Sequence, residues 1–391
     1  MKISEATLQY VRTHVADDVR QLALRGCKNE AVDLPFALQQ IEGRQKAKNK
    51  LPAFYENADI LFPSTLSMEQ CSSEQTANYK TTLAEGNIFC DVTGGFGVDT
   101  LAFAHKFKHC TYLEPREELC VLMRHNCEVL DLQNVEIISG LLEDHSDEIP
   151  DCDLLLIDPS RRDDYGQRVV RLEDCSPNLL KYKGLLLKKS KCVMAKLSPL
   201  LDIKRVLTQL PETKAVHIVS VEGECKEILL LLRREAVAEP IIHCVNLSNK
   251  GDHQFTFTPS VEIQASPPLA KLMQTFLYEP NASILKAGAF KSVAMKYGLQ
   301  KLHPHTHLYT SEQVVADFPG RVFLVKDVFS FHKQEIKRHL QDVTRANVSV
   351  RNFPLTAQEL KQRLKLRDGG ETYLFGTTMA DEKIIVVAGK L

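Results

Sequence analysis

The most chemically suggestive stretch of this chain is Asp91-Val92-Thr93-Gly94-Gly95-Phe96-Gly97-Val98-Asp99-Thr100. It follows an apolar run of strand length and opens a helical pattern that begins near Leu101. Glycines in a strand-to-helix turn let a ligand approach the backbone closely, at the carboxyl end of a strand where open α/β sheets bind their ligands. Twenty residues after Gly94, the next apolar run ends in Glu114, where a carboxylate is placed to accept hydrogen bonds from both hydroxyls of a ribose. Two ligand classes compete for this pattern. A dinucleotide needs G-x-G-x-x-G/A, and counting from Gly95 puts Thr100 where the third small residue belongs. Asp91, three residues before the turn, instead suits S-adenosylmethionine, whose cationic sulfonium and ammonium groups want a carboxylate and which carries no phosphate. The bland alternative, a glycine-rich connection with no ligand, is weakened by Glu114 standing in register.

A second group lies further on, in Leu154-Leu155-Leu156-Ile157-Asp158-Pro159-Ser160-Arg161-Arg162-Asp163. A buried strand here delivers an acid and a proline beside the expected ligand cleft. Asp158 is placed to take a proton or a hydrogen bond from a nucleophilic nitrogen of a substrate. Pro159 and Ser160 follow it, and Arg161 and Arg162 suit a phosphate or a base stack. An N-cap aspartate followed by solvated arginines is the alternative. Lys196 ends the next apolar run; contact with substrate and simple exposure are equally open for it.

These residues need a scaffold that brings strand ends together. From Asn87 onward, apolar runs at 88–92, 110–113, 135–138, 154–157, 193–197, 215–221 and 227–232 alternate with helix-period stretches, the pattern of a parallel sheet built from βαβ units. Only five residues separate the last two runs, too few for a crossover helix, so they form a hairpin and one strand runs antiparallel. Residues 1–80 read as helical, with amphipathic segments at 5–25 and 34–48. Past 240 the rhythm breaks into Pro-marked, short-element sequence. The expected organisation is a helical region at 1–80 and a doubly wound α/β domain at 81–240. A linker with a small α+β piece at 241–319 and a further α+β domain at 320–391 follow.

The 49 Lys and Arg against 50 Asp and Glu leave a net charge of −1, so the whole chain exerts no long-range pull on polyanions. Residues 320–391 alone hold 13 basic and 8 acidic residues, so any such attraction is local. The eleven cysteines are never closer than seven residues apart and include no C-x-x-C pair, which disfavours zinc, iron–sulfur and dithiol chemistry. Apolar surroundings for several of them, the lack of a signal-peptide core and the lack of a membrane-length apolar run point to a soluble cytoplasmic protein.

Taken together, 91–100, Glu114, 158–162 and Gln70-Cys71-Ser72-Ser73-Glu74 resemble the class I S-adenosylmethionine-dependent methyltransferases, specifically bacterial members with a C-terminal THUMP-like domain. The resemblance extends through Lys196-Leu197-Ser198-Pro199 and 222–227 to Glu279-Pro280-Asn281-Ala282-Ser283-Ile284-Leu285-Lys286-Ala287-Gly288 and 364–376, most of the chain. It implies a seven-stranded Rossmann-like sheet with an antiparallel final hairpin, a ferredoxin-like piece near 278–320 and a THUMP-like domain after it. It also implies S-adenosylmethionine held by Asp91, Gly94, Gly95, Gly97 and Glu114, with Gly140 and Leu141 at the adenine. Where amino-group methyltransferases carry an aromatic residue after Asn/Asp-Pro-Pro, this chain has Ser160 and Arg161. Where RNA uracil-C5 methyltransferases place a nucleophilic cysteine, it has Lys196-Leu197-Ser198-Pro199, so the covalent route is not expected.

The expected activity is direct methyl transfer to a nitrogen of an RNA, tRNA or rRNA. Asp158 orients the nucleophile, and Pro159, Ser160, Arg161, Arg162 and Lys196 face the substrate. The rivals are an RNA-binding module whose methyltransferase fold does not turn over, and a methyltransferase of proteins or small molecules. The basic stretch at 361–367 is balanced between an RNA surface and a solvated helix face. His303, His305 and His307 alternate without flanking acids or cysteines; no metal site is expected of them. No membrane partner is expected, and the oligomeric state is left open.

Overall fold

The computed structural model describes residues 3–160, 171–235 and 237–391. Helices α1 (Glu5–His14), α2 (Val19–Arg25), α3 (Leu34–Lys50), α4 (Pro52–Glu56), α5 (Thr65–Gln70) and α6 (Glu74–Thr81) lead the chain. Ser4, Asp18, Asp33 and Ser73 each accept a hydrogen bond from the backbone N–H three residues on. These N-caps satisfy helix-start donors that otherwise have no partner.

The alternating region follows as β1 (Ile88–Asp91), α7 (Val98–Ala104), β2 (His109–Glu114), α8 (Glu117–Val129), β3 (Val135–Ser139) and β4 (Cys152–Ile157). It continues as α9 (Leu179–Lys189), β5 (Ser190–Leu197), α10 (Ile203–Gln209), β6 (Thr213–Val221) and β7 (Glu224–Leu232). Each expected apolar run is a strand. Those strands are fully apolar where helices cover both sheet faces: Phe89, Leu154, Leu156 and Met194 are buried with Phe103 and Phe107 of the first crossover.

Strands lie in the order β3-β2-β1-β4-β5-β7-β6-β8-β9, where β8 is Ile241–Leu247 and β9 is His253–Phe257. Strand β1 pairs in parallel with both β2 and β4, so the connections leaving β1 and β4 diverge and open a crevice above adjacent strand ends. Those ends carry Asp91 and Asp158. Between β6 and β7 the turn is only Glu222-Gly223, both at positive φ (49° and 80°), the geometry that matches hairpin twist.

The sheet is larger than the sequence pattern implies. Strand β8 pairs in parallel with β6 and β9 antiparallel with β8, within the stretch read as a linker. His243 and Asn246 interrupt the apolar pattern of β8; Asn246 accepts hydrogen bonds from Ser220 and from the Gly223 N–H.

By compactness the chain divides into two units, 1–214 with 229–237 and 215–228 with 238–391. The leading helices thus fall in the same unit as β1 to β5. The second unit continues with α11 (Pro259–Gln264), β10 (Phe276–Pro280), α12 (Ala282–Ala287), α13 (Ser292–Lys296), β11 (Gln300–His303) and β12 (Thr306–Ser311). It ends with β13 (Gly320–Ser330), α14 (Lys333–His339), β14 (Asn347–Arg351), α15 (Ala357–Leu364), β15 (Thr372–Met379) and β16 (Glu382–Lys390). Its sheet runs β11-β12-β10-β13-β16-β15-β14. That sheet curls so that strands far apart in its order touch: Thr306 on β12 donates to the Thr378 carbonyl on β15, and Arg351 on β14 reaches Glu279 on β10.

Among the described residues no helix is long and apolar enough to cross a membrane. All eleven cysteines are free thiols.

The leading helices are tied to the sheet by a polar pin. Fully buried Asn126 on α8 accepts from the Leu61 N–H and donates to the Leu61 carbonyl, both at 3.0 Å. Asn126→Ala orphans two buried backbone groups, so a loss of about 2–4 kcal/mol in unfolding free energy is expected from urea titration.

Candidate active site

Asp91 closes β1 with its side chain 2 % exposed. It accepts hydrogen bonds from the Thr93 N–H (3.0 Å) and the Thr100 hydroxyl (2.8 Å). The turn beyond it is tight for identifiable reasons. A side chain at Gly94 would sit 2.2 Å from the Tyr112 ring, and Gly97 has φ +84° with the Met123 sulfur 2.5 Å from where a Cβ would be. Beside Gly95 the nearest atom is the Thr93 carbonyl oxygen at 3.8 Å, so this part of the turn is open to a ligand.

Glu114 ends β2 and is 4 % exposed. Its Oε2 accepts from the Gly95 N–H (2.8 Å), and its Oε1 from the N–H (3.1 Å) and Nε (2.8 Å) of Arg116. A carboxylate has about four acceptor positions, so three are taken. The Arg116 side chain, 47 % exposed, is the one that can swing away and free an oxygen.

A buried charge network lies beside this turn. Lys80 of α6 donates to Asp99 Oδ1 (3.0 Å) and to the Ser72 hydroxyl (2.9 Å), while Ser72 donates to Asp99 Oδ2 (2.7 Å). Lys196 at the end of β5 contacts Ser72 (3.3 Å) and Asp99 (3.9 Å) and forms a close ion pair with Asp158. Asp158 is anchored as well, its N–H donating to Thr93 Oγ1 at 2.7 Å. Burial alone would push Asp99 upward, but Lys80, Lys196 and the Ser72 hydroxyl outweigh it, and its carboxyl titrates below the usual range.

Among the described residues, two lysines therefore face three carboxylates, and the lysines pair with Asp99 and Asp158. Asp91 has no cationic partner among the described residues. Its carboxyl is pushed up to about 7, first by burial and then by Asp99 and Asp158, against the hydrogen bonds from Thr100 and Thr93. A buried carboxylate lacking its counter-charge, at a strand end beside an open glycine turn, is the arrangement a cationic ligand completes.

The structure brings Asp91, Gly94, Gly95, Gly97, Glu114 and Asp158 to one end of the sheet. Gly140 is there too, its N–H donating to the Glu114 carbonyl, with Leu141 exposed after it. Pro159 is buried, and Ser160, an exposed residue, pairs by its backbone with Ser176. Arg161 and Arg162 lie outside the described residues. Lys196 corrects one expectation: it is 3 % exposed and turned inward to Asp158, not presented to solvent. Sequence reasoning missed Ser72, Lys80, Asp99 and Arg116. Ser72 and Asp99 stood inside stretches already singled out. Lys80 carried no signal, since a lysine in a short helix reads as solvated until its partner 19 positions away is known.

The strand order, the diverging loops after β1 and β4 and the glycine turn define a class I methyltransferase fold. Comparison with known proteins agrees. A ferredoxin-like domain family matches residues 276–319 and a THUMP domain-like family matches 320–390. A provisionally assigned methyltransferase from Porphyromonas gingivalis W83, known by crystal structure, is similar over 100 % of both chains at 34 % identity and TM-score 0.89. An rRNA methylase from Streptococcus thermophilus covers 40 % of this chain and 93 % of its own at 13 % identity and TM-score 0.31. A provisionally assigned methyltransferase from Streptococcus mutans, solved in complex with SAH, covers 41 % and 95 % at 13 % identity and TM-score 0.32. No curated protein matches the chain. On the full-length likeness, this chain belongs to the family of class I S-adenosylmethionine-dependent methyltransferases with a C-terminal THUMP-like domain.

Two stability outcomes are expected. Lys80→Met leaves buried Asp99 short of a partner and is expected to cost about 3–5 kcal/mol in urea denaturation. Folded Asp91 titrates near 7 against an ordinary value of 3.8, so between those pH values the folded chain holds a proton that the unfolded chain has lost. Its contribution to stability then falls as pH rises through that window. Asp91→Asn is expected to raise the melting temperature at pH 8 and to change it little at pH 4, measured by scanning calorimetry.

Proposed function

We propose that this protein is an S-adenosylmethionine-dependent methyltransferase acting on a nitrogen of RNA. The observation that carries the cofactor reading is buried Asp91, which has no cationic partner among the described residues, beside the open face of Gly95. Asp91 would meet the cofactor's cationic end. Glu114 would take a ribose hydroxyl once Arg116 moves, with Gly140 and Leu141 bordering the adenine. When bound, S-adenosylmethionine supplies an electrophilic methyl group on a sulfonium.

The chain's part in the reaction is then positioning and proton management. Asp158 stands on the neighbouring strand end, part-exposed, with Lys196 on one oxygen. The ion pair holds that carboxylate in place, which leaves the other oxygen to accept a hydrogen bond from the attacking nitrogen. Thr93 links the two acids, accepting from the Asp158 N–H and donating to Asp91 at 3.4 Å. The THUMP-like domain, with its excess of basic residues, supports RNA as the substrate class.

Affinity for S-adenosylmethionine is expected to rise with pH, because the cation prefers ionised Asp91. With a pKa of about 7, roughly a tenth of Asp91 is charged at pH 6, so binding there is about tenfold weaker than at pH 8. Calorimetry in buffers of different ionisation enthalpy should show proton release near pH 7, and Asp91→Asn should weaken binding and abolish the pH dependence. Absence of binding would sink the cofactor reading. For the substrate, mass spectrometry of tRNA and rRNA nucleosides from a deletion strain should show one methylated nucleoside missing. An unchanged profile would favour a protein or small-molecule substrate, or a fold that binds without turnover.

A further inference from the structure

We propose that the end of the second unit's sheet where Glu279, Arg321 and Arg351 meet is a phosphate-binding site, and that the phosphate it takes belongs to an RNA chain. The RNA part rests on the substrate reading above; the phosphate part stands on this geometry alone.

Glu279 stands one residue before the end of β10, its side chain 3 % exposed. Arg321 of β13 donates to Glu279 Oε2 from Nε (2.9 Å) and, in a closer contact, from Nη2. Arg351 of β14 donates to Glu279 Oε1 from Nη2 at 2.6 Å and to the Val350 carbonyl from Nη1 at 2.8 Å. One buried carboxylate thus holds two guanidinium groups and neutralises only one of them. Each guanidinium has five N–H donors, and each arginine here commits two, which leaves three apiece. Arg321 and Arg351 are 43 % and 36 % exposed, so these donors are accessible. Rigid, forked donors with a surplus positive charge are the chemistry that recognises a phosphate's oxygens.

The surroundings hold one further basic group, Lys301, whose ammonium burial pushes down to about 8. Lys301 is buried and donates to the Pro304 carbonyl at 2.7 Å, with the His307 ring nitrogen 3.5 Å away. His307 stacks on Phe290 with ring centroids 3.4 Å apart. It titrates down at about 4, because of burial first and then because Lys301, His305 and Arg351 stand near it. The nearby carboxylate of Glu262 is occupied, accepting from the N–H groups of Phe290, Lys291 and Ser292 and from the Ser292 hydroxyl. A brace between strands needs one arginine per carboxylate, and the second leaves a net positive charge.

The test uses the full chain, with a fluorescent single-stranded oligoribonucleotide followed by anisotropy across a salt series, and pyrophosphate as a competitor. Arg321→Gln and Arg351→Gln are each expected to weaken oligoribonucleotide binding about five- to tenfold and to reduce the slope of log K against log salt by about one. Arg321→Lys and Arg351→Lys preserve the charge beside Glu279, guard against misfolding and should show a smaller loss with the slope kept. Affinity for S-adenosylmethionine is expected to stay unchanged in all four. Wild-type RNA affinity and salt slope in folded variants would overturn the site while leaving the RNA reading standing. Pyrophosphate binding lost in the variants, with no RNA binding by the wild type, would keep the phosphate site but assign it to a small phosphate compound and sink the RNA reading. Binding of neither probe by the wild type would overturn both.

Discussion

The buried network of Lys80, Asp99, Ser72, Lys196 and Asp158 is the constraint around which the first unit is arranged. Charges removed from water are tolerated only when each is met by an opposite charge and its remaining hydrogen-bonding capacity is satisfied. Lys80 and Ser72 come from the leading helical region, Asp99 from the first crossover helix, Lys196 from β5 and Asp158 from the end of β4. Meeting the demands of any one member requires the others to be in place. The helical region is therefore structural support for the site itself, and the Asn126 pin to Leu61 serves the same attachment from another side.

The same network explains why Asp91 stands apart. Lys80 and Lys196 pair with its neighbours Asp99 and Asp158, so among the described residues burial of Asp91 is offset only by hydrogen bonds from Thr93 and Thr100. Such a carboxyl destabilises the ligand-free protein as pH rises and is stabilised by a cation that arrives from outside. Perturbed carboxyls of this kind cluster at functional sites. The glycine turn supplies the access: close packing of Tyr112 and Met123 on two of its glycines holds the loop, and the third leaves a face open.

The second unit concentrates charge differently. In the first, carboxylates outnumber lysines around the turn; at the end of the curled sheet, two arginines share a single glutamate. A nearly neutral total thus conceals two local imbalances of opposite sign, one suited to a cation and one to an anion. Local fields of this kind act at contact distance, where screening by salt is weakest.

Fold class was legible in the sequence because buried parallel strands must be continuous apolar runs, and every run from Ile88 to Leu232 is a strand. That Asp91, the glycine turn, Glu114 and Asp158 would gather at one end of the sheet was legible because they follow the ends of parallel strands, so position along the chain predicts position in space. Strands β8 and β9 were not, since His243 and Asn246 break the apolar pattern for the sake of a turn on a neighbouring strand. Lys80 and the inward aim of Lys196 were decided by tertiary structure alone, as was the meeting of Glu279 with Arg321 and Arg351. An ion pair between residues tens of positions apart leaves no periodicity to detect. Whether a charged side chain is solvated or buried depends on which partner the fold brings within a few ångströms, and only the assembled structure sets that distance.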